Sequence, residues 1–248
     1  MYNPFSLFGK TILVTGASSG IGRATAIECS KLGACMVITA RNEERLSETM
    51  RLLEGDGHQY MTADLTIEED IKQLTEQLPE LDGVVYAAGI SMLKPIQVIS
   101  ENDIQNIFTT NYNAPVLLTK TLVKKHKLKK EASIVYISSI SGNGNTATAL
   151  SLYGSTKSAL SSFARYAAVE LSGKNIRCNT ICPGRIETRL LQNQTMSDED
   201  IAKDLAKYPL HRYGKPEEVA QAAVYLLSDA TKWITGTSIT IDGGRTLM

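Results

Sequence analysis

Thr15-Gly16-Ala17-Ser18-Ser19-Gly20-Ile21-Gly22 follows a short β-branched run, residues 11–15, and leads into a stretch of helical period, residues 20–32. Glycines between a strand and a helix let the chain turn tightly. They also bring backbone N–H groups against a phosphate, with the positive end of the helix dipole behind them. The spacing is G-x-x-x-G-x-G rather than the commoner G-x-G-x-x-G, but the strand before and the helix after supply the context a lone glycine motif lacks. The turn is read as a dinucleotide site built on Gly16, Ser18, Ser19, Gly20 and Ile21.

Outward from this turn the same alternation repeats. Apolar runs at 36–40, 83–86, 133–138, 176–181 and 238–241, with a weaker one at 59–61, read as strands buried on both faces. Helical stretches at 43–53, 68–77, 101–125, 153–171 and 216–227 lie between them, the last opened by Pro216 with Glu217 and Glu218. The fold expected is α/β: a single doubly wound Rossmann domain over 1–248, with about seven parallel strands and helices on both faces. Residues 188–213, a polar insertion after Pro183-Gly184, break the pattern and are expected to form a substrate lid, the alternative being a solvated helix pair.

Composition narrows the class. The 248 residues carry 26 basic and 26 acidic side chains, a net charge of zero that argues against a nucleic-acid or membrane-surface partner. No basic leader or long apolar run is present, so a cytoplasmic protein is expected. Cys29, Cys35, Cys178 and Cys182 form no CxxC pair and read as reduced thiols. His58, His126 and His211 have no metal-ligand spacing, and no metal is expected. Trp233 is expected to pack.

The end of the second strand indicates which dinucleotide binds. A site for NAD(H) wants an acid there for the ribose 2′-hydroxyl, whereas here Ala40 is followed by Arg41. A guanidinium pairs a 2′-phosphate through charge-assisted bonds worth roughly 1.5–3 kcal/mol, about ten- to a hundredfold in affinity. The expectation is NADP(H); the alternative makes Arg41 a solvated helix-start residue.

Tyr153-Gly154-Ser155-Thr156-Lys157 opens a helical stretch, placing Tyr153 and Lys157 on one face. Of the ten tyrosines only Tyr153 has a lysine four residues on. An ammonium beside a phenol, whose free pKa is about 10, favours phenolate and is expected to bring the group towards the operating pH. A hydroxyl from Ser139 can hold a reacting carbonyl for proton transfer, with Ser141 as runner-up.

With these residues the chain resembles the short-chain dehydrogenase/reductase family in its compact form, over residues 10 to about 244. The likeness rests on TGASSGIG at 15–22, Asp64, AAG at 87–89, Asn111, SSISG at 138–142, YGSTK at 153–157, PGRIET at 183–188 and IDGG at 241–244. The resemblance implies that Tyr153 is the proton donor in reduction, that Lys157 lowers its pKa and holds the nicotinamide ribose, and that Ser139 orients the carbonyl. It implies a water carried by Asn111, adenine flanked by Asp64 and Leu65, and Ala88 and Gly89 along the cofactor. Ile186 and Thr188 would meet the carboxamide.

Two departures stand out. The usual Asn-Asn-Ala-Gly is Tyr86-Ala87-Ala88-Gly89, losing an Asn at position 87, and the Ser139–Tyr153 loop is one residue longer than common. Within the family the chain is most similar to bacterial 3-oxoacyl-acyl-carrier-protein reductases, which implies fatty acid biosynthesis and an NADPH-dependent reduction of a ketone carbonyl, such as a 3-oxoacyl thioester. Lys124, Lys125, Lys127, Lys129, Lys130 and Lys174 are expected to steer an acidic carrier protein, or else to form a solvated helix end. A dehydrogenase of a sugar, steroid or polyol, and an idle cofactor sensor, are the alternative functions. The apolar residues Leu160, Phe163, Ala164, Ala167 and Leu171, with the resemblance, imply a helix-paired homodimer or homotetramer.

Overall fold

The computed structural model describes residues 2–188 and 197–248; residues 189–196, inside the expected lid, lie outside them. Seven strands form one sheet: β1 (Thr11–Thr15), β2 (Cys35–Ala40), β3 (Gln59–Thr62), β4 (Leu81–Tyr86), β5 (Leu128–Ile137), β6 (Arg177–Pro183) and β7 (Ser238–Ile241). They run parallel in the order β3-β2-β1-β4-β5-β6-β7, so the strand order reverses between β1 and β4. Ligands of such sheets bind at that crevice, at the carboxyl ends.

Helices α1 (Gly20–Lys31), α2 (Glu43–Met50), α3 (Glu68–Gln77), α4 (Glu101–Phe108), α5 (Ala114–Lys124), α6 (Ser151–Glu170), α7 (Asp198–Leu205) and α8 (Pro216–Leu227) connect or follow them. Side chains alternate across the sheet as a strand requires. Ile12, Val14, Val85 and Val135 enter the core shared with Val219, Ala223 and Leu227 of α8. Leu13, Val84, Ile134 and Tyr136 enter the opposite core, with Leu118 of α5 and Leu160 of α6. Burial on both faces is why these strands read as continuous apolar runs.

Several expectations change. The stretch 101–125 is not one helix: residues Thr109–Asn113 form a π turn, in which the Ala114 N–H reaches back five residues to Thr109. Pro115 has no N–H to give Asn111 four residues earlier, so an unbroken α-helix is disfavoured there. Strand β5 starts five residues earlier than the pattern suggests, with Glu131 in the left-handed region (φ 67°) at a register irregularity. Trp233 does not pack; it is fully exposed. Of the apolar α6 residues expected to meet another copy, Leu160, Ala164 and Ala167 are core, and Phe163 and Leu171 pack against it. Tyr166 and Val169 are the exposed large side chains on that helix.

The lysine cluster lies at the far end of the sheet from Ser139. Lys127, Lys129 and Lys130 sit at the amino end of β5, while Ser139 follows its carboxyl end, ~30 Å away at the usual strand rise. Lys129 pairs with Asp82 at 2.8 Å, Lys125 with Glu76 at 3.9 Å, and Lys127 bonds the Leu78 carbonyl. At the departure from Asn-Asn-Ala-Gly, buried Tyr86 stacks on Tyr136 with ring centroids 4.8 Å apart. Both phenols meet the Thr119 hydroxyl, at 2.8 and 3.0 Å. Position 87 itself lies on the other face, where Ala87 packs against the α8-side core.

Candidate active site

A cleft of about 600 Å³ opens at the carboxyl ends of β1 and β4. Gly16, Ser18, Ser19, Gly20 and Ile21 line its floor, Arg41, Asp64 and Leu65 one end, and Ala88, Gly89 and Thr188 the other. The glycine turn tolerates no side chain at two points. A Cβ on Gly16 would lie 2.7 Å from the Ala88 Cα, and one on Gly22 would lie 2.4 Å from the Gly16 carbonyl oxygen. The Ala88 N–H reaches the Thr15 hydroxyl at 3.3 Å, and Arg23 Nη2 donates to the Ser18 carbonyl at 2.8 Å. No acidic residue occupies the first turn of α1, so its N–H groups and dipole face the cleft unopposed. The buried Thr39 hydroxyl, which also lines the cleft, has no hydrogen-bond partner among the described residues. A glycine cradle, an uncompensated helix end and an orphaned hydroxyl fit a dinucleotide.

Beyond Gly89 lie the residues of acid–base type, just past the cleft lining. A Cβ on Gly89 would sit 3.2 Å from Asn111 Oδ1 and 3.4 Å from Lys157 Nζ. Tyr153 stands in the first turn of α6 and Lys157 one turn on, its Nζ 5.8 Å from the Tyr153 ring centroid. Lys157 is buried and donates to the Ile137 carbonyl at 2.9 Å. Ser139 caps the turn Ile140–Gly142, its hydroxyl accepting from the Ser141 N–H at 3.1 Å. That turn is pressed onto α6, since a Cβ on Gly142 would meet the Lys157 backbone at 2.5 Å. The Ser139 hydroxyl acts on the Tyr153 phenol, drawing its pKa down against the effect of burial.

A family model described as enoyl-(acyl carrier protein) reductase matches residues 16–246. A short-chain type dehydrogenase/reductase from Mycobacterium ulcerans has the same architecture, with a TM-score of 0.89 and 34% identity over 98% of this chain and 91% of that one. The chain belongs to the short-chain dehydrogenase/reductase family. It is 32% identical to a tropinone reductase homologue of Arabidopsis thaliana, over 98% of this chain and 94% of the relative. It is also 32% identical to a 3-oxoacyl-[acyl-carrier-protein] reductase of Rickettsia felis, over 98% of this chain and 99% of that protein. Members of this family use nicotinamide cofactors, in keeping with the cleft.

In this short-chain dehydrogenase/reductase the electrostatics differ in one respect from the sequence expectation. Burial pushes the Tyr153 phenol above its usual value, and the Ser139 hydrogen bond only partly offsets it. The lysine is the group brought towards neutrality: burial lowers Lys157 from 10.5 to about 8. Partial burial pushes the Asp64 carboxyl up, but the Thr66 N–H and hydroxyl, together with the Arg41 guanidinium, hold it below the ordinary range. Arg41 is 68% exposed and lies 3.8 Å from Asp64.

Most of the residues singled out from sequence converge here, but Ile186 does not line the cleft. It is buried in the α8-side core and bridged to Gly214, whereas the Thr188 methyl comes within 3.2 Å of the Cβ position on Gly20. The sequence reading passed over Arg45, which lines the cleft beside Arg41 and Asn42. Its signal in the sequence is a second arginine shortly after Arg41, in the first turn of α2. Thr39 carried no such signal, because its importance comes from burial without a partner.

Proposed function

We propose that this chain is an NADPH-dependent reductase of a ketone carbonyl, with Tyr153 as general acid. The observation that carries this reading is the placing of Tyr153 one helical turn from buried Lys157, whose ammonium lies with Asn111 against Gly89, directly beyond the glycine cleft. Bound in the cleft, NADPH supplies the hydride. Gly16 to Ile21 would hold its phosphates, Asp64 and Leu65 would flank the adenine, and Ala88 and Gly89 would lie along it. Ser139 would orient the carbonyl, Tyr153 would deliver the proton to its oxygen, and Lys157 would replenish that proton with Asn111 beside it. Thr188, with Ile186 placing it, would open a lid over 188–213.

Preference for NADPH over NADH rests on Arg41 and on the lack of an acid at Ala40. Arg41→Ala should weaken NADPH binding about 10-fold, the lower end for an exposed charged hydrogen bond, and leave NADH binding unchanged. Fluorescence titration with both cofactors checks this, and equal losses for the two would remove Arg41 from the 2′-phosphate site. Lys157 gives the reaction a basic limb. Reduction should slow as pH rises through about 8, where the ammonium that replenishes Tyr153 is lost. A flat pH profile from 7 to 9.5 would take Lys157 out of proton delivery.

A 3-oxoacyl thioester is the substrate we favour, on the likeness to acyl-carrier-protein reductases; the amino-end lysines lend it no support. Turnover of NADPH with an acetoacetyl thioester and a graded panel of ketones tests it. Faster oxidation with the thioester supports this choice, and a preference for compact ketones, as the tropinone reductase likeness would suggest, rejects it. Tight NADPH binding with no turnover on any carbonyl would leave a sensor. We further propose assembly as a homodimer or homotetramer, for which a monomeric mass in solution would be decisive.

A further inference from the structure

The second turn of α6 carries a hydroxyl that the proton-transfer scheme above leaves idle. Thr156 is wholly buried. Its Oγ1 donates to the Tyr153 carbonyl at 2.8 Å and accepts from Asn111 Nδ2 at 3.2 Å. The same amide nitrogen donates to the Ile90 carbonyl at 2.9 Å, and Asn111 Oδ1 accepts from the Ile90 N–H at 2.8 Å. A hydroxyl has one proton, and here it faces the Tyr153 carbonyl, so only a donor can satisfy the side facing Asn111. The Ile90 N–H and carbonyl orient the Asn111 amide so that it presents that donor.

We infer that Thr156 is a positioning residue that ties the π turn at Asn111 and the loop after β4 at Ile90 to the backbone of Tyr153. The hydroxyl joins α6 to Asn111, and the Asn111 amide joins that pair to Ile90. Lys157 follows directly, so the link also fixes the turn that bears the ammonium. Threonine suits the task better than serine, because its branched Cβ restricts χ1 while still allowing the bond to the carbonyl three residues back. Such a back-bond bends a helix rather than stabilising it, so helix propensity does not account for the residue. Without the link, α6 loses its side-chain tie to Asn111, and displacements of about 1 Å between Tyr153 and Ser139 are enough for losses of the order of 10²-fold in rate.

This inference rests on the reading of Tyr153 as the acid, and its test separates the two. Thr156→Val keeps the shape and removes both hydrogen bonds, Thr156→Ser keeps the bonds, and Thr156→Ala serves if the valine variant does not fold. We expect kcat for NADPH-dependent reduction to fall about 10- to 100-fold in the valine or alanine variant, with KM for NADPH changed less than about 3-fold. The serine variant should stay within about 3-fold of the parent. A valine or alanine variant that keeps kcat within about 2-fold, or a serine variant as slow as it, overturns the inference.

A second readout needs no substrate. The ultraviolet titration of Tyr153 is isolated as the difference between each protein and its Tyr153→Phe counterpart. It should move upward in the valine or alanine variant as Tyr153 moves away from Ser139, and stay in place in the serine variant. If the parent turns over no carbonyl, the reductase reading has failed, and this titration alone decides the role of Thr156: an unmoved phenol rejects it.

Discussion

Tyr153→Phe should lower kcat for carbonyl reduction by about 10³-fold while leaving NADPH affinity within about 2-fold, because a positioned acid contributes factors of this size and the ring itself remains. The substitution removes one oxygen. Phenylalanine keeps the aromatic face that Lys157 Nζ approaches at 5.8 Å, and keeps the packing of the first turn of α6. It loses the hydroxyl whose pKa Ser139 draws down. Burial holds that phenol protonated across the neutral range, which suits delivery of a proton to a developing alkoxide. Stopped-flow measurement of NADPH oxidation separates this loss from a failure to bind. Retention of more than about a tenth of the parent rate would move proton donation away from Tyr153.

The second large effect is expected in stability. Lys157→Met should abolish turnover and make the protein more stable at pH 7 by about 2 kcal/mol. Lowering the amine from 10.5 to about 8 means that folding disfavours its charged form by roughly 3 kcal/mol below pH 8. Against this stands the hydrogen bond to the Ile137 carbonyl, worth about 1 kcal/mol, which methionine cannot make. The sign with pH follows. The penalty is fully present below pH 8 and disappears as pH rises towards 10.5, where the amine is neutral in both states. Urea unfolding of the two proteins at pH 7 and pH 9.5 should show the gap narrowing. A methionine variant less stable at both values would mean that burial of Lys157 does not strain the fold.

The parts of this molecule legible in its sequence are those fixed by local sterics or by period. The glycine turn could be read because Gly16 and Gly22 touch backbone that admits no Cβ, and spacing alone carries that message. Tyr153 and Lys157 could be read because four residues make one helical turn. Strands buried on both faces announce themselves as apolar runs. What could not be read depends on the arrival of distant segments. The π turn is foreshadowed by Pro115, but its partner is Ile90, brought there by β4. Whether Lys157 or Tyr153 would be the group shifted towards neutrality is decided by burial, which no spacing encodes. The basic run at 124–130 reads the same at either end of a strand, and only the topology places it at the far end from Ser139. Arg45 was visible in principle, in the first turn of α2 just after Arg41, but needed the cleft to give it meaning.

The contacts around the glycine turn have a bearing on affinity. Gly16 is locked against Ala88, Ala88 is tied to the Thr15 hydroxyl, and Arg23 holds the Ser18 carbonyl, all through protein atoms alone. The cradle therefore takes its shape at folding and does not wait for a ligand to order it. Fixing a backbone residue opposes association by roughly 1–2 kcal/mol when it happens on binding. Here that entropy is already lost before a dinucleotide arrives, so the interactions it makes with the turn go undiminished into its residence on the protein.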